Sequence, residues 1–334
     1  MKWIKRLAAL VALLVLAVAV YAFATARRSE RPVGFEVVRV ESPSGPVAVA
    51  LWYPTAQTPR PTTFLGGHLL SVARNATVEG SGRPLVVISH GNDGSAFSHV
   101  DLAMDLVDAG YVVAAPTHAG DNYADRSRQA SPALFSQRAA QLRATVDYAL
   151  QDWRQRDAID PARVGAYGFS AGGFTVLTLA GGTPDMARIR AHCSRTPEFV
   201  CTLLTQVGSP LVQSAEGAGA FEPDERIRAA VVAAPGLGFT FEGGLVDVRI
   251  PVQVWHGDRD DTVPHASNSR VVQDALGARA EAHTLPGATH MSFLAPCGLL
   301  KPPALCRDAD GFDRAAAHEA MNAEVIRFFD TRLQ

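Results

Sequence analysis

Ser170 lies in the run Gly168-Phe169-Ser170-Ala171-Gly172, between an apolar stretch, Val164 to Tyr167, that reads as a strand and a segment that reads as a helix. A serine at such a strand-to-helix turn projects its hydroxyl into a cleft, and flanking glycines remove side chains that would collide with the neighbouring strand and helix. The N–H of Ala171 then points to where an oxyanion would form. The chemistry this suits is nucleophilic acyl transfer. A serine hydroxyl is a poor nucleophile at neutral pH, so it needs an imidazole to take its proton and a carboxylate to fix the imidazole tautomer. Both types occur downstream at candidate strand ends. Pro251 to Trp255 reads as a short buried strand and runs into His256-Gly257-Asp258-Arg259-Asp260-Asp261. Glu281 to Leu285 reads as another, followed by Pro286-Gly287-Ala288-Thr289-His290. Three strand ends therefore supply Ser170, one aspartate among Asp258, Asp260 and Asp261, and His290; spacing alone does not choose the aspartate. His90, His118 and His256 compete for the base, His256 reading better as a structural residue at its strand end. A second oxyanion donor is expected from the small-residue loop His90-Gly91-Asn92-Asp93-Gly94, which leaves the apolar run Leu85 to Ser89.

The elements that must hold these residues alternate. Val33 to Val40 and Val47 to Tyr53, joined by Ser42-Pro43-Ser44-Gly45-Pro46, read as an antiparallel hairpin at a sheet edge. Further strands at Leu85 to Ser89, Tyr111 to Ala115, Val164 to Tyr167, Ala229 to Ala233, Val252 to Trp255 and Glu281 to Leu285 are separated by helix-like stretches, which implies a doubly wound, mostly parallel sheet with helices on both faces. Thr183 to Glu225 is longer than a simple connection and is the candidate cap or pocket wall, a plain surface excursion being the alternative. Phe312 to Phe329 reads as a terminal helix with Arg314, His318 and Glu324 off its apolar face. Phe97, Tyr123, Phe169, Phe174 and Phe239-Thr240-Phe241 are available to line an apolar pocket, although aromatic residues are more often core.

The segments Ser89-His90-Gly91-Asn92-Asp93-Gly94, Gly110 to His118, Gly168 to Gly173 and Pro286 to His290 resemble the predicted dienelactone hydrolase group of bacterial α/β-hydrolases, which is related to platelet-activating-factor acetylhydrolases and, more distantly, to bacterial polyester hydrolases. The resemblance runs from about Val33 to the C-terminus and implies an α/β-hydrolase fold whose triad follows the order Ser, acid, His. The stretch Gly257-x-x-Asp260-x-x-Val263-Pro264 is similar to the acid loop of that group, which puts Asp260 first, and Asn92 stands where the group keeps its second oxyanion donor. A true dienelactone hydrolase uses cysteine where this chain has Ser170, so the lactone activity of the name does not carry over.

Met1 to Arg6 is basic and Leu7 to Ala24 apolar, with Ala22-Phe23-Ala24 and Ala24-Thr25-Ala26 as small-residue cleavage sites. A run of about 18 residues lies between a signal peptide and a spanning helix, so residues 1–26 form one or the other and residues 33–334 the catalytic domain. With Lys2, Lys5 and Arg6 inside, either choice carries the domain across the membrane, to the periplasm or beyond. Cysteine usage agrees with export. Cys193 with Cys201 and Cys297 with Cys306 form two close couples; three pairings are possible and the local one is simplest, while a metal site lacks tight spacing. The formal net charge of −2, without any basic run, excludes the usual nucleic-acid footprint. The sequence therefore points to an exported serine hydrolase of a small or lipid-like carboxylic ester, without cofactor or metal, touching the membrane only through its N-terminal segment if that is retained. Acyl transfer to an alcohol, amide or peptide cleavage by the same triad, and a non-catalytic binding protein on this fold are the rivals, the last disfavoured because all three triad positions hold competent residues.

Overall fold

The computed structural model describes residues 2–64, 67–298 and 303–334. Met1, the first residue of the segment expected to be a signal peptide or an anchor, lies outside them. The chain opens with helix α1 (Lys2–Thr25), which has no buried residue and is the one helix among the described residues long and apolar enough to cross a membrane. Ten strands follow: β1 (Val33–Val40), β2 (Val47–Pro54), β3 (Arg60–Thr63), β4 (Leu69–Arg74), β5 (Arg83–Ser89), β6 (Val112–Thr117), β7 (Ile159–Phe169), β8 (Ile227–Ala233), β9 (Val252–Gly257) and β10 (Ala280–Leu285). They form one sheet in the order β10-β9-β8-β7-β5-β6-β2-β1-β4-β3. The run from β10 to β6 is parallel throughout, and β2 joins β6 antiparallel.

Period-2 alternation in the central strands explains why both faces are covered. In β5, Leu85 and Val87 enter one apolar layer while Val86 and Ile88 enter the other; β8 splits in the same way, with Ala230 and Val232 against Ala229, Val231 and Ala233. On the first face lie α3 (Leu134–Asp147), α4 (Ala171–Leu179) and α7 (Ser269–Leu276), contributing Phe135, Leu142, Phe174, Leu177 and Leu276. On the second lie α2 (Val100–Asp108) and α8 (Arg314–Arg332), contributing Met104, Leu106, Val325, Phe328 and Phe329. Gly165 of β7 admits α8 to the sheet, since a Cβ there would fall 2.7 Å from the Phe329 ring.

Three expectations need correction. The β1–β2 hairpin does not end the sheet: β4 pairs parallel to β1 and β3 pairs antiparallel to β4, so the edge lies two strands further out. The terminal helix begins at Arg314, capped by the Asp313 carboxylate, which accepts from the N–H groups of Ala315 and Ala316. Its Arg314 and His318 are buried rather than off the packed face. The Thr183 to Glu225 excursion carries two short helices, α5 (Arg188–Arg195) and α6 (Phe199–Gln206), stapled by a Cys193–Cys201 disulfide; Cys297 pairs with Cys306.

Candidate active site

Ser170 occupies the turn between β7 and α4 with φ 56° and ψ −119°, a left-handed conformation that is costly for a residue with a Cβ. Backbone bonds hold it there: the Ser170 N–H donates to the Ala233 carbonyl at 3.0 Å, and the Ser170 carbonyl accepts from Gly236 at 3.0 Å. The two glycines of the turn are sites of close approach. A Cβ on Gly168 would sit 2.1 Å from the Gly172 carbonyl oxygen, and one on Gly172 would sit 2.0 Å from that of Ser89.

His290 Nε2 lies 2.9 Å from Ser170 Oγ, and His290 Nδ1 lies 2.8 Å from Asp260 Oδ2. A carboxylate at Nδ1 fixes the proton there and leaves Nε2 as an acceptor facing the hydroxyl. The other Asp260 oxygen accepts from the N–H groups of Thr262 at 3.0 Å and Val263 at 2.8 Å. The three neighbouring aspartates have separate surroundings. Asp258 accepts from the Gly287 N–H at 2.6 Å, tying the acid loop to the histidine loop, and Asp261 is exposed. Behind His290, Thr289 and Ser292 form a reciprocal cap, and Ser292 Oγ donates to Asp308, which pairs with buried Arg314. The Ser292 carbonyl meets His318 Nε2 at 2.8 Å, and His318 Nδ1 meets Asp101 at 2.5 Å. Burial pushes the Asp101 carboxyl up, but the charge and hydrogen bond of His318 outweigh it and hold it well below the usual range. Burial likewise pulls His318 down, and Asp101 more than restores it, so the imidazole is raised.

Asn92 and Ala171 both border the cleft at Ser170, Ala171 as the first residue of α4. The Asn92 loop is braced from beneath by a fully buried ion pair that sequence reading did not single out: Arg138 Nη1 lies 2.6 Å from Asp121 Oδ2, and Arg138 Nη2 donates to the His90 carbonyl. Asp121 Oδ1 accepts from the Asn92 side-chain amide and from Gln129 Nε2 at 3.0 Å. Two signals pointed there: Asp121 follows the C-terminal end of β6, where sheet enzymes keep functional groups, and Arg138 occupies an inward helix position. His118 bridges Ser89 Oγ and Gln141 Oε1 at 2.9 Å each through its ring nitrogens, and its backbone N–H donates to His90 Nε2. Burial, reinforced by Arg138, lowers His90 to about 3 and His118 well below the ordinary value, so both are neutral scaffold. His256 stacks on His265 beyond the acid loop.

A partly enclosed cavity of about 60 Å³ opens at Ser170. Its walls are Leu134 and Phe135 of α3, Leu237, Val263, and Phe199, Val200, Leu203 and Leu204 of α6. Four of these residues belong to the Thr183 to Glu225 excursion. Glu198 fastens it, meeting His192 at 3.0 Å, accepting from Asn268 Nδ2 at 3.0 Å and from Ser267 Oγ. None of the aromatic residues singled out from the sequence lines this cavity: Phe174 and Phe241 are core, Phe97 packs on Phe35 and Trp52, Tyr123 is exposed, and Phe169 lies against His290.

The dienelactone hydrolase family model matches residues 72–221, a segment that holds Asn92, Asp121, Arg138 and Ser170 but ends before Asp260 and His290. No curated protein matches the chain. Among 1127 solved chains that do, a ferulic acid esterase from Streptomyces cinnamoneus superposes with a TM-score of 0.63 at 20% identity, over 91% of this chain and 91% of that one. At that identity the likeness is one of fold, and the fold is that of the α/β-hydrolases.

Proposed function

From an α/β-hydrolase fold with a dienelactone-hydrolase segment around its serine, we propose that this chain cleaves carboxylic esters through an acyl-enzyme on Ser170. The observation that carries the reading is the continuous chain from Ser170 Oγ through His290 to Asp260, at 2.9 and 2.8 Å, opening on an apolar cavity. Ser170 attacks the ester carbonyl while His290 Nε2 takes its proton; His290 returns that proton to the leaving alcohol, and water repeats the sequence to release the acid. Asp260 orients the ring and stabilises the imidazolium. The N–H groups of Ala171 and Asn92 hold the oxyanion, each worth about 3 kcal/mol in the transition state. The domain works outside the cytoplasm, a reading supported by the two disulfides and by the basic residues Lys2, Lys5 and Arg6 at the start of α1.

Cavity size sets the acyl group. About 60 Å³ of mostly apolar space at Ser170 favours a short acyl group over a long one. Full-length protein in nanodiscs is expected to hydrolyse p-nitrophenyl butyrate and hexanoate with a burst, to turn over the palmitate poorly, and to lose both phases in Ser170→Ala. Absence of turnover above that variant on every ester, from folded and oxidised protein, would sink the reading.

A further inference from the structure

Residues 26–31 join α1 to the domain without a flexible linker. Ala26 is buried, and Arg27 exchanges backbone bonds with β4, its N–H donating to Leu69 at 2.8 Å and its carbonyl accepting from Ser71 at 2.9 Å. The Arg27 guanidinium pairs with Asp105 at 2.8 Å, and the N–H groups of Glu30 and Arg31 donate to Asp108 at 3.1 and 2.9 Å. These contacts descend α2. Tyr21 and Thr25 share a cleft with Val100 and Asp101 in its first turn, Arg27 meets its middle and Arg31 its end, a drop of about 10 Å at 1.5 Å per residue. The first turn of α2 stands at the C-terminal end of β5, the end that carries the Asn92 loop, Ser170 and His290. The same cleft is completed by Ala295 to Gly298, which follow His290, and the Ala295 N–H donates to Ser98 at 2.9 Å. Traced backwards, the chain climbs to the catalytic end of the sheet at Tyr21 and Thr25, in the last turns of α1, and no residue of α1 is buried.

We propose that α1 is retained as a membrane anchor and that its rigid junction turns the catalytic mouth toward the bilayer, so that the enzyme takes amphiphilic esters resident in the adjoining leaflet. At 24 residues α1 is about 36 Å long, enough for a hydrocarbon core of about 30 Å. With only Ala26 between the helix and the β4 bridge, the domain cannot swing its other end to the surface. The substrate part of this inference rests on the esterase reading; the orientation does not.

The test uses the full chain in phosphatidylcholine nanodiscs containing a headgroup-labelled acceptor lipid. A donor dye is placed at Tyr123→Cys, exposed beside the Asn92 loop, or at Asp157→Cys, 92% exposed ahead of β7 at the opposite end of the sheet, roughly 30 Å away. Higher energy transfer from position 123 is expected; equal or reversed transfer overturns the orientation, and an intact mass lacking residues 1–24 or 1–26 in membrane-extracted protein overturns the anchor. A long-chain alkyl butyrate in the same disc as the enzyme is expected to be cleaved on the order of tenfold or more faster than the same ester in separate discs. Equal rates overturn delivery from the bilayer. Soluble p-nitrophenyl butyrate distinguishes the two failures, since no turnover of it defeats the esterase reading while leaving the energy-transfer result to stand or fall alone.

Discussion

Arg138 and Asp121, each with about 1% of its side chain exposed, are the residues on which the Asn92 loop depends. Removing one partner of a buried pair leaves an uncompensated charge, at a cost of about 3–5 kcal/mol. Arg138→Met is therefore expected to lower the thermal midpoint strongly and, in the folded fraction, to reduce kcat more than it raises KM, because oxyanion donors act chiefly in the transition state. Arg138→Lys should not rescue it, as an ammonium cannot reach Asp121 and the His90 carbonyl with one planar fork. Unchanged kcat in folded Arg138→Met would separate the ion pair from the oxyanion site. The aspartates of the acid loop should separate as clearly. Asp260→Asn is expected to cost about 10⁴ in kcat by presenting the wrong tautomer of His290, while Asp258→Ala loosens only the Gly287 contact and should cost far less. Comparable losses in steady-state assays would contradict the assignment. Ser170 and His290 could be singled out because each stands in a loop at a strand's end, and the resemblance of the acid loop put Asp260 first; the structure brings the three within hydrogen-bonding distance. Arg138 and Asp121 were not singled out, since they stand 17 positions apart, one on α3 and the other in the loop after β6, and only the folded chain brings them under His90.

Among the elements, the serine turn tolerates least. Gly172→Ala would press a Cβ to 2.0 Å from the Ser89 carbonyl, backbone against backbone, so neither side can yield without parting β5 from α4. Loss of folding in expression trials, with Gly236→Ala, whose added Cβ would meet its nearest atom at 3.5 Å, as a control that still folds, is the expected result. The α5–α6 excursion should behave oppositely. It is held by the Cys193–Cys201 bond and by Glu198, outside the central sheet. Replacing both cysteines by serine is expected to remove about 2–3 kcal/mol from a loop this short and to raise KM for butyrate esters. Labelling of Ser170 by a small fluorophosphonate should persist; its loss would mean that the excursion shapes the triad and not only the pocket wall. The central strands were readable for the reason they are stable, as continuous or alternating apolar runs buried on both faces. β3 and β4 were not: Arg-Pro-Thr-Thr carries no apolar period and has proline at its second position, which only an edge strand admits, and Ser71 interrupts β4.

At the scale of the whole molecule, buried imidazoles on the two faces of the sheet give stability opposite dependences on pH. His90 and His118 are neutral when folded, lowered by burial and by Arg138, whereas in the unfolded chain each binds a proton near 6.5. As pH falls below 6.5 the unfolded state gains protons that the native state refuses, and each histidine removes about 1.4 kcal/mol per pH unit. His318, pulled down by burial but raised overall by Asp101, has the opposite sign. Its contribution is complete below 6.5 and is lost as pH rises through its folded value, so it slopes the alkaline side. Asp101 adds a second acid term, present above the ordinary 3.8 and lost as pH falls through its depressed value. Stability should therefore peak near pH 6.5, steeper on the acid side, where two imidazoles act together. Urea denaturation from about pH 4.5 to 8.5 checks this through slopes, which are insensitive to the hydrogen bonds each substitution also removes. His118→Gln should flatten the acid limb by about 1.4 kcal/mol per unit, and His318→Gln should flatten the alkaline limb. If His318→Gln left the alkaline limb unchanged, the α2–α8 face would not hold a protonated imidazole, and the brace behind His290 would have to be neutral.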